Sequence, residues 1–151
     1  MQGYYNILEQ IKTTLIADVN VNTCSQGDIF DVDLAKQTIY PLSHIMVNSA
    51  TMEAGIFTFS MSVICMDIMD ENPIAATDDF RGNDNEQDIL NTQLNVAATL
   101  VTELLRGDLR ESNYALNGTP SFEPFTERFE NKLAGWVVTF SVDIPNDVTI
   151  C

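Results

Sequence analysis

The strongest pattern in the chain is a long run of helical periodicity in its second half. Apolar residues recur at intervals of three and four, at Leu90, Leu94, Ala97, Val101 and Leu104 or Leu105. This spacing predicts a helix of about 22 residues with one apolar face, roughly 33 Å long. Asn83 or Asp84 is expected to cap its start, and Gly107 is expected to follow its last residue, Arg106.

A shorter helix is predicted over residues 2–17. Its apolar stripe is formed by Tyr4, Ile7, Leu8, Ile11 and Leu15. A turn-rich connection centred on Gly27 is expected to follow over residues 23–28. The first strand is then predicted over residues 29–34, where polar and apolar side chains alternate.

Alternation also predicts two longer strands in the first half of the chain. Residues 38–48 form one, with Pro41 at its start or edge. Residues 54–69 form the other, and residues 48–53 are expected to be the hairpin connection between them. One face of the long strand carries the more apolar set, Phe57, Phe59, Met61, Val63 and Cys65, so we expect that face to pack on a helix.

Two loops and a closing pair of strands complete the prediction. The loops cover residues 70–84 and 108–123, with a tight turn over residues 117–120. The strands cover residues 122–132 and 133–144, and Pro145 ends the second. Asn131–Lys132 or Ala134–Gly135 is the turn or bulge between them.

These elements predict one α+β domain over residues 1–151. The predicted architecture is an antiparallel β-meander with a long amphipathic helix on one face, an N-terminal helix and a C-terminal β-hairpin. The length suits a single domain, and 45% hydrophobic residues suit a folded one.

The charge of the chain is strongly acidic. Seven Lys and Arg against 22 Asp and Glu give a formal charge of 7 − 22 = −15. This balance argues against a protein that grips nucleic-acid phosphates and against docking on an anionic membrane surface. No secretory signal is visible, and the most apolar stretch, residues 55–69, is too short and too polar to span a membrane.

Residues suited to catalysis or metal binding are sparse. The chain has three cysteines, expected to be reduced in a cytosolic setting, and Cys65 is expected to be buried. The single histidine, His44, is interpreted as a hydrogen-bonded strand residue. Asp31 and Asp33 share a strand face, which we interpret as a solvated surface because no third ligand is suitably spaced. No cofactor, metal or catalytic site is predicted.

The order of the elements resembles the tail-terminator family of long-tailed bacteriophages and the related neck proteins. Three segments carry the resemblance: the strand that begins near Pro41, residues 40–47; the long central strand, residues 57–63, followed by the long helix; and the final hairpin, residues 125–140. The resemblance covers most of the chain at the level of element order and pattern.

The resemblance implies a structural virion protein without catalysis. Such a protein forms a homohexameric ring that caps the tail tube, ends its polymerisation and joins it to the head connector, after assembly in the host cytoplasm. DNA passes through the lumen without specific binding. The loops over residues 70–84 and 108–121 are the candidate contacts to tube and connector. The candidate interface residues are Asp78, Asp79, Phe80, Arg81, Arg110, Tyr114, Phe122, Phe125 and Arg128.

Other classes of protein stay open at this point. A different head-completion, connector or tail-tube protein would keep the chain within the virion. A metal-dependent hydrolase would use Asp31, Asp33, Asp67 or Asp70. A small adaptor domain is the third alternative.

Overall fold

The computed structural model describes residues 2–29, 37–69, 85–107, 114–128 and 133–145. Two helices and five strands lie in these ranges. In chain order they are α1 (Gln2–Ile16), β1 (Thr23–Gln26), β2 (Leu42–Glu53), β3 (Ile56–Ile68), α2 (Glu86–Arg106), β4 (Ala115–Arg128) and β5 (Leu133–Pro145). A single 3-10 turn, Gln37–Ile39, precedes β2.

The strands form one mixed sheet in the order β1-β2-β3-β5-β4. The α+β class is therefore confirmed, but the sheet is not the wholly antiparallel meander that was predicted. β1 is parallel to β2, whereas the other pairs are antiparallel. In addition, β5 lies between β3 and β4, so the closing hairpin joins the sheet through its second strand.

Both predicted helices are present. In α1 the side chains of Ile7, Ile11 and Leu15 are buried, as the stripe predicted. In α2 the buried set is Ile89, Gln93, Val96, Ala97, Leu100, Val101 and Leu104. Leu90 and Leu94 are only half-buried, so the buried side of α2 is rotated from the predicted stripe. Apolar residues at intervals of three and four occur on both the predicted side and the buried side of α2, so the sequence pattern fits either one.

The ends of α2 differ from the prediction. Asn85 is the N-cap, while Asn83 and Asp84 lie outside the described residues. Gly107 donates its backbone N–H to the carbonyl of Glu103, but its backbone is extended (φ −107°) rather than left-handed. The last turn is therefore closed by this hydrogen bond without the positive φ for which glycine is usually selected.

Two predictions about the first strands are wrong. The predicted connection over residues 23–28 begins with β1, and Gly27 follows it with φ 110°. The predicted connection over residues 48–53 is the second half of β2, and Ala54–Gly55 makes the turn instead. Both segments are polar, so their sequence reads as loop, whereas pairing with a neighbouring strand holds them extended. Apart from Ile29, the predicted strand over residues 29–34 lies outside the described residues.

Another prediction fails in β4, which begins at Ala115 inside the predicted loop. The predicted turn over residues 117–120 is a bulge in this strand. Asn117 pairs with Ser141 and Ser121 with Thr139, so four steps along β4 match two along β5. Gly118 takes φ 78° there, which explains why the segment has the composition of a turn.

No turn lies at Ala134–Gly135, because both residues are within β5, but a bulge is present in the pairing with β4: three steps from Phe125 to Arg128 match two from Gly135 to Leu133. Gly135 is instead a point of close approach between strands. A Cβ at this position would overlap the carbonyl oxygen of Cys65 and lie 2.9 Å from the Cα of Met66. Asn131 and Lys132 lie outside the described residues.

The core is divided between the two faces of the sheet. The helix-side cluster holds Ile7, Ile11 and Leu15 of α1, the buried side of α2, and Phe59, Met61, Val63 and Cys65 of β3. The second cluster, on the other face, holds Tyr40, Leu42, Ile64, Met66, Phe125 and Leu133. The apolar face of β3 therefore packs against the helices as predicted.

Candidate interaction surfaces

The side chains of six of the nine predicted interface residues lie outside the described part of the chain. Asp78, Asp79, Phe80, Arg81 and Arg110 lie outside the described residues, as does the side chain of Arg128 at the end of β4.

The three predicted aromatic interface residues that the structure describes pack largely in the core of the chain. Tyr114 is 8% exposed in the helix-side cluster, and Phe125 is 9% exposed in the second cluster. Phe122 is partly buried against the helix-side cluster. Burial also raises the pKa of the Tyr114 hydroxyl. Most of each ring packs within the chain. A role of these three residues at an interface stays a prediction.

The hairpin of β2 and β3 has an exposed outer half, which we call the arm and define as residues 48–56. Every one of these residues is exposed, and Met52 is 63% and Ile56 43% exposed. Asn48 is the extra residue between the pairs Val47–Met61 and Ser49–Ser60, and its side chain donates to Ser62 Oγ at 2.8 Å. The bulge thus separates the buried half of the hairpin from the arm. Exposed large apolar side chains on such an arm favour contact with another molecule.

An apolar cleft lies beside the end of the arm, at Gly55 and Ile56. Its walls are Gly55, Ile56, Ala115, Asp143, Ile144 and Pro145, and its volume is about 290 Å³. Beside it, Asp143 accepts hydrogen bonds from Thr58 Oγ1 at 2.6 Å and from Asn117 Nδ2 at 3.2 Å. These bonds occupy the carboxylate in cross-strand pairing.

A second groove runs between α1 and β1. It is lined by Tyr4, Tyr5, Leu8, Glu9, Lys12, Cys24, Ser25, Gln26 and Ile45, and its volume is about 340 Å³. Tyr5 stands at 65% exposure on α1. Burial raises the pKa of the Cys24 thiol to about 11, an effect that nearby Lys12 partly offsets. The thiol in this groove is therefore protonated at neutral pH and is a weak nucleophile.

Aromatic rings continue from this groove across the sheet. The ring of Tyr4 lies 6.0 Å from that of Tyr5 and 5.7 Å from that of Phe59, and Phe57 stacks on Phe59 at 5.9 Å. These spacings are typical of attractive aromatic pairs. The row links the groove through direct packing to Phe57, the β3 residue that pairs with Met52 of the arm.

His44 is held in a hydrogen-bonded position in β2, as predicted. Its imidazole is fully buried, with Nδ1 2.7 Å from Ser25 Oγ and Nε2 2.8 Å from the carbonyl oxygen of Gly27. Because a carbonyl only accepts, Nε2 carries the proton and the hydroxyl of Ser25 donates to Nδ1. A serine, a histidine and an orienting acceptor are also the parts of a nucleophilic site. Here, however, both ring nitrogens are engaged in fastening β1 to β2.

Chemistry at the remaining described residues is limited. No group of three or more His, Cys, Asp or Glu side chains suited to a metal ion occurs among them. The Asp67 carboxylate accepts the backbone N–H of Ile68 at 2.8 Å, and Asp31, Asp33 and Asp70 lie outside the described residues. Neither of the described helices is long and apolar enough to cross a membrane.

No protein-family model and no curated protein matches the chain. The candidate functional features are the arm, the cleft at its end, the groove between α1 and β1, and the edges of the sheet.

Signals for these surfaces were weak in the sequence. The arm consists mostly of small and polar residues around Met52, a composition that is typical of a loop. The strand β1 is only four residues long. Tyr5 stands beside the predicted stripe of α1 and was not among the predicted interface residues. Its position beside β1 could not be predicted, because the parallel pairing of β1 with β2 joins residues about 19 positions apart.

Proposed function

We propose that this protein is a structural virion component of the tail-terminator type. In this role it forms a homohexameric ring that caps the tail tube, stops tube polymerisation and joins the tube to the head connector. The site of action would be the neck and tail of the virion, after assembly in the host cytoplasm.

The arm is the observation that carries the proposal furthest. A ring of identical subunits needs two different surfaces on each copy, one to give and one to receive a contact. The arm exposes Met52 and Ile56 beyond the buried half of the hairpin. The resemblance in element order, from the N-terminal helix to the final strand pair, supports the same assignment.

The charge of the chain is compatible with a ring through which DNA moves. Six copies carry 6 × −15 = −90 formal charges. A lumen lined by carboxylates repels phosphates and so lets DNA pass without being held. A lumen lined mainly by Arg106, Arg110 and Arg128 would contradict this part of the proposal.

The first experiment measures the mass of the purified protein by size-exclusion chromatography with light scattering, together with negative-stain microscopy. A ring of six subunits is the expected result. A ring of this type can require the tube for its assembly, so a second measurement locates the protein in intact particles by cryo-electron microscopy. Absence from the neck in that image, combined with a monomer in solution, would overturn the proposal.

Two substitutions on the arm make the test specific. Met52→Asp places a charge on an exposed apolar position, whereas Thr51→Asp places the same charge on the opposite face of the same strand. We expect Met52→Asp to lower the fraction of assembled rings more than Thr51→Asp does. Equal behaviour of the two variants would remove Met52 from the contact.

Another position in the virion is the alternative within the same class. A head-completion, connector or tail-tube protein would also present exposed strands to its neighbours. The location of the ring along the particle, seen in the same images, separates these roles.

A further inference from the structure

The open edge of β1 offers backbone hydrogen bonds to another strand. The amides of Thr23 and Gly27 donate to the carbonyls of Pro41 and Ile45, at 3.2 and 3.1 Å, and so face β2. Backbone groups alternate in direction along a strand, so the amides of Cys24 and Gln26 point away from β2. Within the described residues, β1 pairs with β2 alone. An unpaired edge of this kind is a template for strand addition.

The groove between α1 and β1 lies directly beside this edge. Tyr4, Tyr5 and Leu8 project from α1 on one side, and Cys24 and Gln26 lie on the other. A volume of about 340 Å³ lies at the low end of the range of ligand pockets and is large enough for one large side chain. An exposed edge strand next to a helix-lined groove is the arrangement used in β-augmentation, where backbone bonds supply affinity and the groove supplies specificity.

The opposite edge of the sheet is built differently. Its strand, β4, contains Pro120 and Pro124 and has pairing irregularities between Asn117 and Ser121 and between Phe125 and Arg128. Proline lacks a backbone donor, and bulges bend a strand away from a new neighbour. This edge cannot supply a regular strand to β1 of a second copy.

Net charge also bears on the identity of the partner. The chain carries a net charge of −15, so an acidic segment is repelled from this short edge. A basic segment is attracted by the same field. The groove itself adds one carboxylate, Glu9, and one ammonium group, Lys12.

We propose that the β1 edge and the α1 groove together form a docking site for an extended segment of a different protein. The segment adds as a strand to β1, places one large apolar side chain between Tyr5 and Leu8, and carries basic residues beside it. This inference goes beyond the ring function and does not depend on it.

The experiment uses the full chain and a display library of random linear peptides. Selected peptides are synthesised and titrated into the isotope-labelled protein, and backbone amide NMR and amide exchange are recorded. We expect Cys24 and Gln26 to shift and to gain exchange protection, and the peptides to combine alternating apolar residues with Lys or Arg. A library without binders, or binders that perturb a different surface, would overturn the proposal.

A matched pair of variants isolates the backbone contact. Gln26→Pro removes an outward N–H, whereas Gln26→Ala keeps it. Loss of one anchoring contact should weaken peptide binding at least ~10-fold in Gln26→Pro, and Gln26→Ala should stay within ~3-fold of the unchanged protein. Equal affinities for the two variants would refute strand addition.

Folding and assembly controls complete the test. If Gln26→Pro loses the native circular dichroism spectrum, Tyr5→Ala decides instead, because this exposed side chain can be removed without disturbing the core. An unchanged affinity in Tyr5→Ala would then contradict the groove. If Gln26→Pro abolishes a ring that Gln26→Ala still forms, a second copy occupies the edge and the proposal is wrong. A monomer that binds peptide at β1 would leave this inference standing while the ring function fails.

Discussion

Gly135 offers a sharp test of how tightly the centre of the sheet is packed. It pairs with Met66 of β3 on one side and with Phe125 of β4 on the other. In a Gly135→Ala variant the new Cβ would overlap the carbonyl oxygen of Cys65. It would also lie 2.9 Å from the carbonyl carbon of Cys65 and from the Cα of Met66. Carbon atoms in favourable contact are about 3.5–4.0 Å apart.

The size of the effect follows from which atoms are in the way. All three are backbone atoms, so no side-chain rotation relieves the overlap. Relief requires β3 and β5 to separate locally, which lengthens hydrogen bonds in the middle of the sheet. Overpacking that shifts side chains and backbone typically costs about 1–3 kcal/mol and occasionally more, and here only the backbone can move. We therefore expect Gly135→Ala to lower the free energy of unfolding by about 3 kcal/mol or more.

Urea unfolding measures this change, with circular dichroism and the fluorescence of Trp136 as independent probes. Trp136 is the only tryptophan, and its Nε1 donates to the carbonyl of Leu90 at 2.8 Å, so it reports on the contact between β5 and α2. Gly55→Ala is the control, since a Cβ there meets no atom within 4 Å. A Gly135→Ala variant within about 0.5 kcal/mol of the unchanged protein, the range of ordinary surface substitutions, would refute the reasoning.

Three further substitutions or conditions test other parts of the structure. Gln93 is 1% exposed, and its amide has no hydrogen-bond partner among the described residues. Gln93→Met should therefore raise the free energy of unfolding by about 1–2 kcal/mol, whereas Asn91→Leu at an exposed position should leave it nearly unchanged. A Gln93→Met variant that is less stable would mean that the amide is paired. Ser25→Ala removes the hydroxyl that donates to buried His44 and should lower the free energy of unfolding, measured in urea, by about 1–3 kcal/mol. Ser49→Ala at an exposed position is the control. Equal losses of stability in the two variants would contradict the role of this hydrogen bond in holding β1 to β2. Burial raises the pKa of the Cys65 thiol from 9.0 to about 12 and that of the Cys24 thiol to about 11. Above pH 9 the unfolded chain loses these protons first, so each thiol should lower the free energy of unfolding by about 1.4 kcal/mol per pH unit up to its own folded pKa. The slope should be smaller in Cys65→Ala, and an equal slope would contradict this.

The sequence alone determined the elements that carry strong periodicity. Both helices are present because their apolar spacing matches the helical repeat, and Phe59, Met61 and Val63 face the helices because side chains alternate along a strand. The burial of Cys65 follows from the same local rule. Such patterns need no knowledge of which strand lies next to which.

Only the tertiary structure decided the features that depend on neighbours. Residues 48–53 and 115–121 have the composition of loops, and pairing with β3 and β5 makes them strands. Gly135 resembles a turn residue, and the approach of β3 explains it. The groove beside β1 exists because the parallel pairing of β1 with β2 places that edge against α1. Strand pairing joins residues far apart in the chain, and local composition does not encode which partners meet.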